Sequence, residues 1–412
     1  MVTLWPVGRK VIRNGFFRDG DLDFQARGAL GRAVRGSSEV GEVLATLARI
    51  RNQSGWAREW AVTARRAQTE ADRARDAGHL VSASSGYLRA ATYWASVVDG
   101  LATLGTSLRL VDAFRIHRRC WDSFVDCSGG THLPLSVPYE STTLPGYLLR
   151  PDASGRARPT LVATNGSDGA VSDLWTSAVA GALARDWNAF VYDGPGQQSM
   201  LFERETYFRP DWEAVLTPVI DLLAARADVD AARMTGYGIS QGGYWLPRAL
   251  AFEHRLVAAV VDPGVVDVST SWLSRLTKGM RDSLDGGDRE RFNRDMGLAV
   301  KIPSLARTLA FRGRPYEHND WFDLYAAVRQ YRLDPETAAS IRTPLLITDP
   351  EGEQFWPGQS RQLSGLVPGR ADVLHFGADE GAAYHCQPTG RLLTENRMFD
   401  WLTDAVAAAV HP

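Results

Sequence analysis

The chain has 412 residues, of which 44% are hydrophobic and 23% charged, and its formal net charge is −2. This length suits one large domain with an accessory region, and the composition is ordinary for a globular protein. The charge balance excludes a basic field for nucleic acid, and no apolar run approaches the about 20 residues that a bilayer crossing needs. Lysine occurs only at positions 10, 278 and 301, so scattered arginines carry almost all the positive charge. Residues 1–17 hold Arg9, Lys10 and Arg13 without an apolar stretch behind them, unlike a secretory leader. The three cysteines (Cys120, Cys127 and Cys386) are odd in number and lack metal-ligand spacing. A disulfide framework is therefore not expected, no metal is expected, and a reducing cytoplasm is the simplest location.

Residues 1–130 read as a helical domain. The stretches 56–75 and 82–110 place alanines and larger apolar residues at helical spacing, with arginines and acids between them. From about residue 139 the texture changes. Residues 159–164 (PTLVAT), 188–193 (NAFVYD), 233–238 (RMTGYG), 257–262 (VAAVVD), 344–349 (PLLITD) and 371–376 (ADVLHF) are short and apolar on both faces, closed by Gly, Asp or Pro. They read as buried strands. Residues 212–226 lie between two of them and set Val215, Val219, Leu222 and Leu223 on one helical face. Alternation of this kind predicts an α/β fold, a mostly parallel sheet with helices on both faces. Residues 131–265 form its first part and residues 341–412 its second, with a closing helix over 392–410. Between them, residues 266–340 break the alternation and are rich in aromatics, among them Trp272, Phe292, Tyr316 and Trp321. An insert there is expected to cap the carboxyl ends of the strands, where ligands bind in such sheets.

Gly238-Ile239-Ser240-Gln241-Gly242 matches G-x-S-x-G between a strand and a helical pattern, the context of a nucleophile elbow. The serine must sit on a tight turn in a strained backbone, and side chains two residues to either side would collide there. A serine nucleophile needs a base. His385 follows the last strand and precedes the last helix. The competing histidines are placed less well: His79 and His117 in the helical region, His254 after the elbow helix, His318 in the insert and His375 within a strand. The base needs a carboxylate to fix its tautomer. The loop after residue 348 offers Asp349, Glu351 and Glu353, and the preceding strand offers Asp262 or Asp267 at its end. An oxyanion hole needs two backbone N–H groups. Gln241, directly after the serine, supplies one, and Ser167, in the loop Asn165-Gly-Ser-Asp-Gly169, the other. The turn Asp193-Gly-Pro-Gly-Gln197 lacks the G-K-[ST] of a phosphate cradle.

The segments YDGPGQ, GYGISQGGY, TPLLITDPEGEQFWPGQ and GADEGAAYHC resemble those of the α/β-hydrolase fold. GWAREW and GHLVSASSGYLRAATYW, in the helical N-terminal part, resemble a narrower subgroup with an N-terminal helical domain and a helical cap. That subgroup includes dihydroxypseudooxynicotine hydrolase and the fungal heptaketide-shortening hydrolases of pigment synthesis. The resemblance spans residues of about 21 to 402. It implies a Ser–His–acid triad of Ser240, His385 and an acid, no cofactor, and often cleavage of a carbon–carbon bond beside a ketone. In this fold the acid commonly lies four residues before a proline. That selects Glu353 ahead of Pro357, with Asp349 as the alternative acid and Asp262 or Asp267 behind them. Glu353 departs from the more usual Asp. The expected function is a serine hydrolase of a polyketide-like or aromatic small molecule, acting at an ester or a ketone-adjacent C–C bond. The rivals are an elimination lyase or cyclase on the same scaffold and a non-catalytic binding protein. The expected partner is the small-molecule substrate, with neither nucleic acid nor membrane; a homodimer is compatible with the sequence.

Overall fold

The computed structural model describes residues 15–104 and 107–410. Residues 1–14, with Arg9, Lys10 and Arg13, lie outside the described residues, as do 105–106 and 411–412.

Among the described residues, five α-helices precede the sheet: α1 (Gly20–Gly31), α2 (Val40–Leu47), α3 (Gln53–Asp76), α4 (Leu80–Leu104) and α5 (Ser107–Asp126). Asn52 caps α3 by accepting the N–H of Gly55 at 3.2 Å, which satisfies one of the donors a helix start leaves open. The facing sides of α3 and α4 are built from Ala64, Ala67, Ala71, Ala83, Ala90 and Ala91, all buried. Small side chains let two long helices lie close, and Trp56, Trp60 and Tyr93 fill the wider spaces between them.

The strands among the described residues are β1 (His132–Tyr139), β2 (Thr142–Leu149), β3 (Arg158–Thr164), β4 (Asn188–Tyr192), β5 (Val229–Ile239), β6 (Ala258–Asp262), β7 (Leu345–Pro350) and β8 (Ala371–Phe376). They form one sheet in the order β1-β2-β4-β3-β5-β6-β7-β8. β1 and β2 make an antiparallel hairpin, β2 pairs antiparallel with β4, and every pairing from there to β8 is parallel. β4 and β6 are buried along their whole length, as an apolar run covered on both faces requires. The crossover helices include α6 (Glu213–Ala224) and α7 (Gly242–Leu250).

Two apolar cores lie on the two faces of the sheet. One joins α1–α5 to Leu161, Val191 and Val260 of the sheet and to Phe399 of the final helix. The other joins Val162, Phe190 and Val261 to α6, α7 and the helices between β6 and β7. Polar ties reinforce the first seam: Arg35 Nε donates to Glu395 Oε2 at 2.8 Å, and Trp175 Nε1 donates to the carbonyl of Arg35 at 2.9 Å. Among the described residues, no helix is long and apolar enough to cross a membrane.

Candidate active site

The carboxyl ends of β3 to β8 converge on one rim, and each candidate side chain stands just beyond one of them. Ser240 follows β5 and precedes α7 with a φ of 56°, a left-handed conformation that costs a non-glycine residue energy unless its surroundings impose it. Two glycines allow that turn. A Cβ on Gly238 would lie 2.4 Å from the carbonyl oxygen of Gly242, and one on Gly242 would lie 2.6 Å from that of Thr164.

His385 follows β8. Its Nε2 lies 2.9 Å from Ser240 Oγ, and its Nδ1 lies 2.9 and 2.8 Å from Glu353 Oε1 and Oε2. The Glu353 carboxylate also accepts the N–H groups of Phe355 at 2.9 Å and Trp356 at 3.2 Å. Burial pushes its pKa up, but the charge and hydrogen bond of His385 and the two N–H groups outweigh burial and hold it below the usual range. The side chains of His385 and Glu353 are only 4% and 6% exposed, so water competes little with these bonds. The N–H of His385 donates to Gln354 Oε1 at 2.9 Å, which fixes the loop that carries the ring. The sequence-predicted Ser240, His385 and Glu353 are thus brought into one hydrogen-bonded line. Such a line can take a proton from a serine hydroxyl and hold the resulting imidazolium.

The other acids point elsewhere. Asp349 at the end of β7 pairs with Arg361 at 2.9 Å and lies 3.6 Å from His375 of β8. Asp267 accepts from the N–H and hydroxyl of Ser269 at 2.9 and 2.6 Å. Asp262 is fully buried beneath the site. It accepts from Arg391 Nη1 at 2.8 Å, Tyr237 Oη at 2.9 Å and Thr348 Oγ1 at 2.7 Å. Burial would raise its carboxyl, yet the Arg391 charge and these bonds hold it below its ordinary value. Sequence reading weighed Asp262 only as a triad acid; the structure gives it a supporting post instead. It links β5, β6 and β7 to the helix α8 that starts at Arg391 (Arg391–Val410), directly after the His385 loop.

Gln241 begins the turn into α7, and the Ser167 loop lies across from it. Gly166 between them has its N–H occupied by Asn165 Oδ1 at 2.9 Å. The turn after β4, set aside in the sequence as no phosphate cradle, braces this loop. Gln197 Nε2 donates to the carbonyls of Asn165 and Gly166 at 3.0 Å each, while its Oε1 accepts the N–H of Gly194 at 2.8 Å.

Ser240 and His385 lie between two connected hollows. The smaller, about 100 Å³, faces the helices after β6 and is walled by Trp272, Tyr316 and Trp356. The larger, about 260 Å³, runs under the N-terminal helices past Leu22, Trp56, Ser96 and Asp99. Phe24, Asp168, Phe311, Arg312 and Phe355 border both. Burial lifts the Asp99 carboxyl well above its usual range. No local sequence signal marked Phe24, Asp99, Gln197 or Arg312. Among the described residues, no group of three His, Cys, Asp or Glu side chains could hold a metal ion.

No family model matches the chain. Against curated proteins it is 31% identical to the 20-hydroxy-prefusarin hydrolase FUS2 of Gibberella moniliformis, over 97% of this chain and 98% of that one. The chain belongs to the α/β-hydrolases. This hydrolase is also 29% identical to the hydrolase LUC6 of a Fusarium species, over 93% of its own length and 96% of the relative's. Among solved structures, it superimposes on the 2,6-dihydroxy-pseudo-oxynicotine hydrolase with a TM-score of 0.71 at 17% identity, covering 92% of this chain and 96% of the other. The match includes the N-terminal helices as well as the sheet. The expected α/β-hydrolase fold, the subgroup resemblance and an enzyme of hydrolase type stand.

Proposed function

We propose that the chain is a serine hydrolase that cleaves a carbonyl compound, an ester or a ketone-adjacent C–C bond, of a polyketide-like or aromatic small molecule. The observation that carries this reading is the line Ser240–His385–Glu353 opening between two hollows. Ser240 Oγ attacks the carbonyl carbon as its proton passes to His385 Nε2. The imidazolium is held by the Glu353 carboxylate through Nδ1. The backbone N–H groups of Gln241 and Ser167 receive the developing oxyanion. Collapse expels the leaving group, which takes the proton from His385. Water, deprotonated by His385, then opens the Ser240 ester.

Two further observations support the substrate class. The hollows are walled by aromatics and together reach the scale of small-molecule sites, about 300 Å³ upward. Relatives over nearly the full length are hydrolases, and FUS2 is named for action on 20-hydroxy-prefusarin. The N-terminal helices and the helices after β6 serve in this reading as the two lids of the chamber, with the enzyme free of cofactor and working in the cytoplasm.

A fluorophosphonate should label the chain once, by intact mass, and Ser240→Ala should abolish the label and lower kcat by about a millionfold. Labelling that persists in Ser240→Ala sinks this reading. Turnover in heavy-oxygen water separates hydrolysis, which places the label in the acid product, from elimination or cyclisation, which does not.

A further inference from the structure

Arg312 is a cation at the chamber that the catalytic scheme does not use and that, among the described residues, has no anionic partner. Arg312 stands near the end of the helix Pro303–Gly313, over the rim, and borders both hollows together with Ser240 and His385. Its guanidinium carbon lies 4.9 Å from the centre of the Phe355 ring, and that ring lies 4.7 Å from the ring of His385. A guanidinium resting on an aromatic platform keeps its N–H edge free for a planar partner.

The larger hollow is bordered by three arginines, and their pairing differs. Arg32 is bound to Asp173 at 2.9 Å and Arg391 to Asp262 at 2.8 Å. Among the described residues, Arg312 has neither a hydrogen bond nor an ion pair. Burial pulls its pKa down from the ordinary arginine value, and the fields of Asp168 and Asp21 only partly offset this. Asp168 is exposed, and its Oδ1 faces the hydroxyl of Ser167 at 3.3 Å. Water screens that carboxylate more than it screens Arg312. Five N–H donors stacked on a ring and without a hydrogen-bond partner among the described residues call for an acceptor, and the hollow is where one can enter.

We propose that Arg312 anchors the substrate by a planar oxyanion, either a free carboxylate or an ionised acidic enol, held in a two-pronged contact beside the carbonyl that Ser240 attacks. This deepens the hydrolase reading and rests on it. The aromatic walls accept the apolar body of the substrate, and the guanidinium fixes its register against the nucleophile. Arg312 is then a specificity-determining residue: neutral analogues enter but slide.

The test uses the full chain carrying Ser240→Ala, so that binding is read without turnover. Calorimetry with phenylbutyrate and its uncharged amide should show tighter binding of the carboxylate. Adding Arg312→Met should weaken phenylbutyrate by about tenfold to a hundredfold and leave the amide unchanged, while Arg312→Lys should recover part of the loss. Benzoylacetone, whose enolate absorbs at longer wavelength than its neutral enol, reads the second source. An Arg312-dependent enolate band on binding assigns the acidic enol, and its absence beside a carboxylate effect assigns the carboxylate. Equal weakening of acid and amide, or no weakening of any anionic probe, overturns the inference. Fluorophosphonate labelling of the wild-type chain is measured separately. Labelling without an Arg312 effect overturns this inference alone, and an Arg312 effect without labelling overturns the hydrolase reading alone.

Discussion

The floor and the roof of the chamber are built on opposite principles. The floor, at the ends of β3 to β8, is polar and over-determined. Ser240 is held at positive φ, Glu353 receives three donors, and a buried Arg391–Asp262 pair joins three strands to a helix. The roof, formed by α1, α3 and α4, packs its helices together through alanines and rings and presents to the hollow a mixed lining, Leu22, Phe24 and Trp56 beside Asp21, Gln25 and Asp99. Chemistry at a reacting carbonyl tolerates little displacement, so its groups need several constraints each. Bulk of a substrate needs only volume of the right shape. In the proposed reading the floor carries the reaction and the roof shapes the space for the substrate.

The sharpest break of this contrast removes the roof. α1–α5 share one apolar core with the sheet, so neither side buries its surface alone. Deletion of residues 1–125 should abolish soluble expression. A soluble truncation with full activity would show that the floor neither folds nor works through the roof.

Next in size is the acid of the floor. Glu353→Gln presents an amide to His385 Nδ1 and should lower kcat by about ten-thousandfold, while circular dichroism stays unchanged. Asp349→Asn loosens only the half-exposed contacts to Arg361 and His375 and should cost about twofold at most. Reversed sensitivities would move the acid to Asp349.

The supporting post comes third. Asp262→Asn leaves Arg391 buried without its counter-charge and should destabilise the fold by about 3–5 kcal/mol in urea unfolding. The sign with pH follows from the depressed carboxyl of Asp262. Its stabilisation is complete above the unfolded carboxyl pKa, about 3.9, and disappears as pH falls through the lower folded value. The stability gap between wild type and Asp262→Asn should hold at neutral pH and close in acid. A gap that is small at neutral pH would remove the post from the floor.

The same contrast governs what was legible in the sequence. Floor residues announce themselves because glycines, strand ends and a proline surround them within a few positions; Ser240, His385 and Glu353 could be named, and Asp349 stayed open only because it shares Glu353's loop. Strands β3 to β7 were legible as short two-sided apolar runs; 371–376 was read as a buried strand too, but as the edge strand β8 it leaves Asp372, Val373 and His375 exposed, because no further strand among the described residues covers that side. The hairpin β1–β2 was not named, because Pro134, Pro138 and Pro145 interrupt it; β1 is an edge strand, where proline is tolerated. The stretch 82–110 was read as helical, and its described residues lie in α4 (Leu80–Leu104) and α5 (Ser107–Asp126). Roof and chamber residues carry no local mark. Phe24, Asp99 and Arg312 meet Ser240 from distant parts of the chain, and nothing in an alanine-rich helix says which turn faces a hollow. Gln197 was passed over for a different reason: its turn was judged against phosphate binding, while its work is to brace another loop.

Gln197 supplies the smallest and most discriminating test of the floor. Its side chain is 2% exposed and spends all three hydrogen bonds on backbone, two on the Asn165–Gly166 carbonyls and one on Gly194. It is hydrogen-bonded to neither Ser240 nor His385, so its removal leaves the proposed nucleophile and base intact. What it fixes is the direction of the loop whose Ser167 N–H is the proposed second oxyanion donor. A donor that swings away is missed only when charge develops on the carbonyl oxygen, in the transition state. Gln197→Ala should therefore lower kcat by about tenfold and leave KM nearly unchanged. Ser240→Ala combined with Gln197→Ala should bind a neutral substrate analogue as Ser240→Ala alone does. A rise in KM at constant kcat would make Gln197 a wall of the binding space instead, and the division between a constrained floor and a permissive roof would lose its clearest member.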